Sequence, residues 1–421
     1  MNHKKYNWIV IGGGISGISI AEILCREQND VLLIEKNKAL ASETSKVFHE
    51  WLHTGALYTL IPDRMLTTRY LLGAIDDLIE HYNCFDGMNL EKTESGLKVI
   101  NNGWFNDDPM LFKYRSRKIN PIWELVVAKS VLELDRISKH DWLRRRGGED
   151  FGNLRLFDKK IISQLSKIYS DKSQFYEKNS SDLTMNSRAL ITDILEHGIH
   201  KGLQISVNEP ILSIDQGKGG VTVRSKNNVY HSENVVICSP DLISKFEGLN
   251  IKESYAPMAV VEGVDDDVRN FVELDYYYKN CINLIKKGNG LGQVGGISLS
   301  DKSKVADYTQ YLIREHKKRN PKIKAIGSYL GIKKELTLKS QNRNYEYHIN
   351  RSSENIWSVV LGKFTLAFSL APEFYRRIYK KNPKVEYRMQ RSIDKSEYID
   401  TTSWDDVVNE SIKKRIENGN D

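Results

Sequence analysis

The chain has 421 residues, of which 40% are apolar, 28% charged and 10% aromatic, and its 62 Lys and Arg outnumber 55 Asp and Glu for a formal net charge of +7. That composition excludes a disulfide mini-protein, a collagen-like repeat and a wholly disordered chain, and at roughly 150 residues per domain it leaves room for two or three folded units. Cys25, Cys84, Cys238 and Cys281 form no C-x-x-C pair, so neither a disulfide framework nor a zinc cluster is indicated, no metal site is expected, and a reducing compartment fits.

The N-terminal stretch MNHKKYNWIVIGGG leads into a Gly-rich turn rather than a cleavage site. No apolar run anywhere reaches the ~18 to 20 residues that a membrane span needs, and the expectation is a soluble, cytoplasmic protein. Trp8-Ile9-Val10-Ile11 reads as a buried parallel strand. Gly12, Gly14 and Gly17 then fill G-x-G-x-x-G, and Ile18, Ala21, Ile23 and Leu24 mark a helix with an apolar side. In such a unit the first glycine allows the tight turn, the second lets a pyrophosphate approach the backbone, and the third lets helix pack on strand. The phosphates would lie at the positive helix end, against Ile15 and Ser16. A second strand, Val31-Leu32-Leu33-Ile34, ends at Glu35, 18 residues after Gly17 and placed to accept hydrogen bonds from ribose hydroxyls, with Lys36 beside it. An acid at this position argues against a 2′-phosphate, leaving FAD or NAD.

Further along, Asn101 to Lys113 reads as loop and Trp123 to Leu132 as helix. Asn186-Ser187-Arg188-Ala189-Leu190 begins a helix reaching about Lys201. Strands follow at Leu203–Asn208, which includes Val207, at Ile211–Ile214, at Gly220–Arg224 and at Asn234–Ser239. A returning apolar strand after so long a connection suits a two-domain flavoprotein better than a nicotinamide domain, so FAD is favoured. Ser254 to Val264 reads as a strand, Tyr276-Tyr277-Tyr278 as strand packing, and the polar last 35 or so residues as either a surface helix near Trp404 to Glu417 or a frayed tail. Arg144-Arg145-Arg146, Lys317-Lys318-Arg319 and the run Arg376 to Lys381 are basic clusters; solvated helix faces explain them, and contact with an anionic lipid surface, a quinone or an acidic partner stays open. No nucleic-acid module and no repeat is visible.

Together these elements resemble the D-amino-acid oxidase and glycine oxidase superfamily of FAD enzymes, and within it the L-2-hydroxyglutarate dehydrogenase branch. Three further segments carry the likeness: Thr44-Ser45-Lys46 followed by Leu52-His53-Thr54-Gly55-Ala56-Leu57-Tyr58; Tyr329 to Leu336 with Arg343 to Tyr347; and Gly362-Lys363-Phe364-Thr365-Leu366-Ala367 continuing to Glu373. Two departures stand out. Val47-Phe48-His49-Glu50-Trp51 replaces the usual glycine-rich spacing, and Ser239 stands where a glycine is common after the third FAD strand. The implied fold is α/β, with a discontinuous Rossmann-like FAD-binding domain (1–90, 186–245, 355–384), an α+β substrate domain on a mixed sheet (91–185, 246–354) and a charged C-terminal segment (385–421).

The resemblance implies hydride transfer from a C–H bond to flavin N5, so the cofactor carries the difficult step. His53 matches the family histidine and is the first candidate base or flavin-positioning residue, since an imidazole titrates near neutrality. His49 and His53 could each also carry a covalent flavin. Lys363 falls in the loop expected near flavin N1 and C2, with Gly362, Phe364 and Thr365 around it. Arg343, Tyr345 and Tyr347 alternate and would share one strand face, where an arginine fork could hold a carboxylate; Tyr58 is a weaker candidate. The expected activity is oxidation of a small polar or anionic substrate, a 2-hydroxy acid or related alcohol. An amine or amino-acid oxidase and a non-catalytic FAD-binding protein are the rivals.

Overall fold

The computed structural model describes residues 5–60, 65–93, 96–117, 121–138, 157–170, 175–275, 277–338, 343–385 and 397–418. The arginine run at 144–146 and Tyr276 lie outside them.

Two large sheets organise the chain. In the first, Lys5–Ile11 is central, pairing in parallel with Val31–Ile34 on one side and Val229–Ile237 on the other. Gln204–Ser206 extends it in parallel beyond Val31–Ile34, and Ile356–Leu361 does so beyond the second half of Val229–Ile237. The first half of Val229–Ile237 carries instead the antiparallel strands Gly220–Ser225 and Ile211–Gly217. A parallel core is covered on both faces, which is why its strands are continuous apolar runs. Alternate residues serve different cores: Trp8, Val10, Leu33 and Val236 meet the helices Ile15–Arg26, Ser187–His200 and Ala367–Tyr379. Ile9, Ile11, Leu32, Ile34 and Val235 meet the antiparallel layer and Ile243.

The second sheet has seven strands in the order Lys324–Leu336, Ile251–Glu262, Leu291–Gly296, Asn280–Gly288, Phe271–Asp275, Leu111–Arg115, Phe175–Asn179. It is antiparallel except where Phe271–Asp275 meets Leu111–Arg115. Helix Pro121–Ser138 buries Leu125, Ala128 and Val131 against Phe112, Tyr114 and Val272, and helix Val305–Arg319 covers the other face near Phe271 and Val294.

Two readings change and one open choice is decided. Leu111–Arg115 is strand, taking over the end of the stretch read as loop. Tyr347–Arg351, assigned by the domain boundaries to the substrate-side sheet, instead pairs antiparallel with Ile356–Leu361 at the edge of the nucleotide sheet, because a tight return links the two. The choice between surface helix and frayed tail resolves as helix Ser403–Glu417, started by a capping box between Thr402 and Asp405. Two basic clusters are largely paired within the molecule: Arg319 with Glu273 and Glu315, and Arg376, Arg377 and Lys381 with Glu373, Asp77 and Glu27. No helix among the described residues is long and apolar enough to cross a membrane.

Candidate functional site

A cleft lined by residues of both sheets carries most of the candidate residues. At one end lies the glycine turn: Gly12 has φ +112°, a backbone region L side chains avoid, and a Cβ there would stand 3.1 Å from the Cys238 carbonyl carbon. A Cβ on Gly17 would lie 1.9 Å from the Gly12 carbonyl oxygen, so glycine is what lets helix and strand approach. Beside Gly14 a Cβ would meet only Ser45 Oγ, at 3.4 Å, and the space opens into the cleft. The helix has no side-chain cap from its own N-cap residue; Ser45 Oγ takes the Ile15 N–H at 3.0 Å, and Ser16 lines the cleft. Glu35 is 8% exposed and accepts from the Gly13 and Asn37 amides at 2.7 and 2.9 Å. Burial pushes its carboxyl pKa up, and those amides offset part of the rise. A carboxylate has about four acceptor sites, so Glu35 keeps capacity for hydroxyl donors.

Across the cleft, Cys238, Ser239 and Pro240 lead into helix Pro240–Glu247, and Glu209, Pro210 and Ile211 line the wall. Lys36 lines the cleft but is paired with Glu43 at 2.6 Å and Asp241 at 3.5 Å. Thr44 donates to the Ile332 carbonyl at 3.0 Å. Val207 and Lys46, both assigned to the cofactor, are not among the residues that line the cleft. Val207 packs on the hydrophobic core, and Lys46 turns to Asp400 and Asp406, at 3.0 and 2.9 Å, because the C-terminal segment brings two carboxylates to it.

The other end is built by two segments, 47–53 and 362–364. Phe48 and Phe364 stack at 4.3 Å and tie them together, and the His53 amide donates to Thr365 Oγ1 at 3.2 Å, which places Thr365 behind the loop, fully buried. Gly362 is required there, since a Cβ would lie 2.6 Å from the Glu346 carbonyl oxygen. The His53 ring lies over Trp51 at 4.2 Å with Tyr58 edge-on at 5.8 Å. Burial lowers its pKa, while Asp182 opposes the shift. His49 is driven to about 3 by burial, reinforced by Lys333, His53 and Lys363, and so stays neutral.

Lys363 and Lys333 enter this end from opposite sheets, and among the described residues neither has a carboxylate within ion-pair reach. The Lys363 ammonium sits over the rings of Tyr345 and Tyr58, at 4.7 and 5.2 Å, with its pKa forced well down by burial and by Lys333 and Arg343. Lys333 donates to Ser298 Oγ at 3.3 Å, and burial, aided by Arg343, brings its pKa to about 8.

The alternating triad is not a substrate-facing strand. Arg343 to Glu346 lies outside any strand, and the Arg343 fork is filled by an internal carboxylate, Glu335, at 2.8 and 2.7 Å. Tyr345 packs against Tyr58 at 5.2 Å and Tyr347 against Tyr70 at 5.5 Å, both behind the cleft. Sequence reasoning missed Lys333 and Glu335, although their period-two spacing on one strand was a usable signal. It also missed Asp182, for which no local signal exists.

The residues fit an extended flavin dinucleotide. A glycine cradle and a buried acid stand at one end, and basic and aromatic side chains at the other, within one continuous cleft. A family model described as FAD dependent oxidoreductase (DAO) matches residues 7–264. A search of curated proteins finds no match. Among solved structures the chain is similar to L-alpha-glycerophosphate oxidase from Mycoplasma pneumoniae with FAD bound (16% identity, 92% of this chain and 99% of that one, TM-score 0.64). It is also similar to L-proline dehydrogenase from P. horikoshii (13%, 91% and 96%, TM-score 0.62) and to glycine oxidase from Geobacillus kaustophilus (12%, 93% and 100%, TM-score 0.59). At these identities the likeness establishes the fold.

Proposed function

The chain belongs to the DAO family of FAD-dependent oxidoreductases, and from that premise we propose that it oxidises a small anionic substrate at a carbon bearing a hydroxyl, a 2-hydroxy acid or a related alcohol. The observation that carries this reading is the pair of buried lysines, Lys333 and Lys363, lining one end of the cleft without carboxylate partners among the described residues. Burial without an anion pushes a lysine toward its neutral form, and an anionic ligand restores and stabilises the charge. FAD, when bound, supplies the hydride acceptor. Gly12 to Ser16 would hold its diphosphate, Glu35 its ribose, and Lys363 the end near the ring system.

The protein's own work is to hold, orient and deprotonate. Lys333 and Lys363 hold the substrate carboxylate; His53, neutral because buried, takes the hydroxyl proton; Phe48, Phe364 and Trp51 keep water out. A hydroxyl is favoured over an amine because an ammonium would face these lysines. The carboxylates nearby are already engaged, Glu335 by Arg343, Glu50 by Lys287 and Asp182 by Trp51 and Thr54. The finer placement beside the L-2-hydroxyglutarate dehydrogenase branch rests on the sequence segments alone.

The test is anaerobic reduction of the purified holoprotein by matched pairs of acids. A 2-hydroxy acid should bleach the flavin while its 2-amino analogue leaves it oxidised; the reverse pattern would establish the amine-oxidising rival instead. Repeating the turnover in air and assaying peroxide separates an oxidase from a dehydrogenase.

A further inference from the structure

We infer that Asp182 is the positioning residue for His53, fixing its ring so that Nδ1 carries the proton and Nε2 is left to accept one in the cleft. This rests on the reading of His53 as proton acceptor and adds the group that makes it competent.

Asp182 is fully buried. It accepts from the Trp51 indole N–H and the Thr54 amide, each at 2.9 Å, and from the Thr54 hydroxyl. These donors lie on either side of His53 in sequence, so one carboxylate shapes the strand Trp51–Leu52 and the turn after it. The remaining neighbour of Oδ2 is His53 Nδ1, at 3.7 Å. That is beyond hydrogen-bond length, and catalytic contacts of this kind commonly reach full length only in the substrate complex. Nδ1 is sealed from solvent and has no other partner among the described residues. The side chain nevertheless keeps 16% exposure on the cleft, so its open edge is the other one. Trp51 beneath and Tyr58 at the edge hold the ring plane.

The alternative tautomer would aim the Nδ1 lone pair at a buried carboxylate, which is repulsive, and would occupy Nε2 with a proton. The other titratable groups facing His53 are Lys363 from the loop after Ile356–Leu361, Lys333 from Lys324–Leu336, and His49 and Tyr58 from its own segment. The two lysines disfavour an imidazolium, and Asp182 is the anion that favours it.

Two measurements on the FAD-loaded protein decide the matter. Nitrogen-15 NMR of the wild-type His53 ring, assigned by its loss in His53→Asn, should show a neutral ring protonated on Nδ1; protonation on Nε2 overturns the inference whatever the substrate proves to be. Asp182→Asn should slow anaerobic flavin reduction roughly 10- to 100-fold. Removing the anion makes the imidazole harder to protonate, so the acidic limb of the pH profile should move down by about one unit. In the His53→Asn background the same change should cost little more. An unmoved limb, or an equal loss in both backgrounds, would mean that Asp182 only shapes the loop. Absence of reduction by every hydroxy acid would instead count against the proposed activity and leave the NMR result as the test of the tautomer.

Discussion

Lys333 and Lys363 are where single side chains decide chemistry. Losing a charge-assisted contact to a carboxylate costs about 1.5–3 kcal/mol, so Lys363→Met should raise the KM for an anionic substrate on the order of tenfold to a hundredfold. Because Lys363 is also placed at the flavin end of the cleft, FAD content is measured alongside and the KM is taken on the FAD-loaded fraction. Lys333 makes binding depend on pH. Its pKa of about 8 means that the ammonium is present below that pH and lost as pH rises through it; KM for a carboxylate substrate should therefore climb above pH 8, and Lys333→Met should flatten that rise. The sign for folding runs the other way. Lys333 is harder to protonate when folded than when unfolded, so this group's contribution to stability improves as pH rises from about 8 toward its ordinary value. Arg343 illustrates the limit of reading residues one at a time: an arginine fork suits a carboxylate, but nothing local says that Glu335 already fills it.

At the scale of elements, the C-terminal segment acts as a strap on the loop that borders the cleft. Leu40 and Ile399 form a parallel bridge, with Leu40 N–H donating to the Tyr398 carbonyl at 2.7 Å. Lys46 binds Asp400 and Asp406, and Val407 of helix Ser403–Glu417 fills the notch over Gly327, where a Cβ would come within 2.4 Å. The strap thus restrains the stretch that delivers Thr44, Ser45, Phe48 and His49. Partly exposed ion pairs of this kind contribute up to about 1 kcal/mol. Lys46→Met should therefore weaken FAD binding several-fold, measured by fluorescence titration of the apoprotein, with little change in maximal flavin reduction. The helix itself was half legible: its capping residues Thr402 and Asp405 are a local signal, whereas its seat on Lys324–Leu336 is a tertiary fact.

Across the whole molecule, the nucleotide-binding half is joined through a buried ionic group. Glu22 and Arg26 pair at 2.8 Å on the first helix, both side chains fully buried; His197 of Ser187–His200 reaches Glu22 at 2.6 Å, and Arg26 donates to the carbonyls of His81 and Lys384. Removing one partner strands a buried charge, so Arg26→Met should cost roughly 3–5 kcal/mol in denaturant unfolding, and the double variant Glu22→Leu with Arg26→Met should cost less than the single one. By itself the amino-acid sequence determined the strand–glycine–helix–strand–acid unit of residues 8–35 and the helix, hairpin and returning strand between Ser187 and Ile237. Those depend on turn geometry and apolar periodicity acting over a few residues. Only the tertiary structure decided that Asp182 meets Trp51 and Thr54, 131 and 128 residues away, that Glu335 consumes Arg343, that Tyr347 joins the other sheet, and that Lys333 and Lys363 face one cleft. Sheet register and chain crossing set those partners, and a side chain's own chemistry does not specify which distant group will neutralise it.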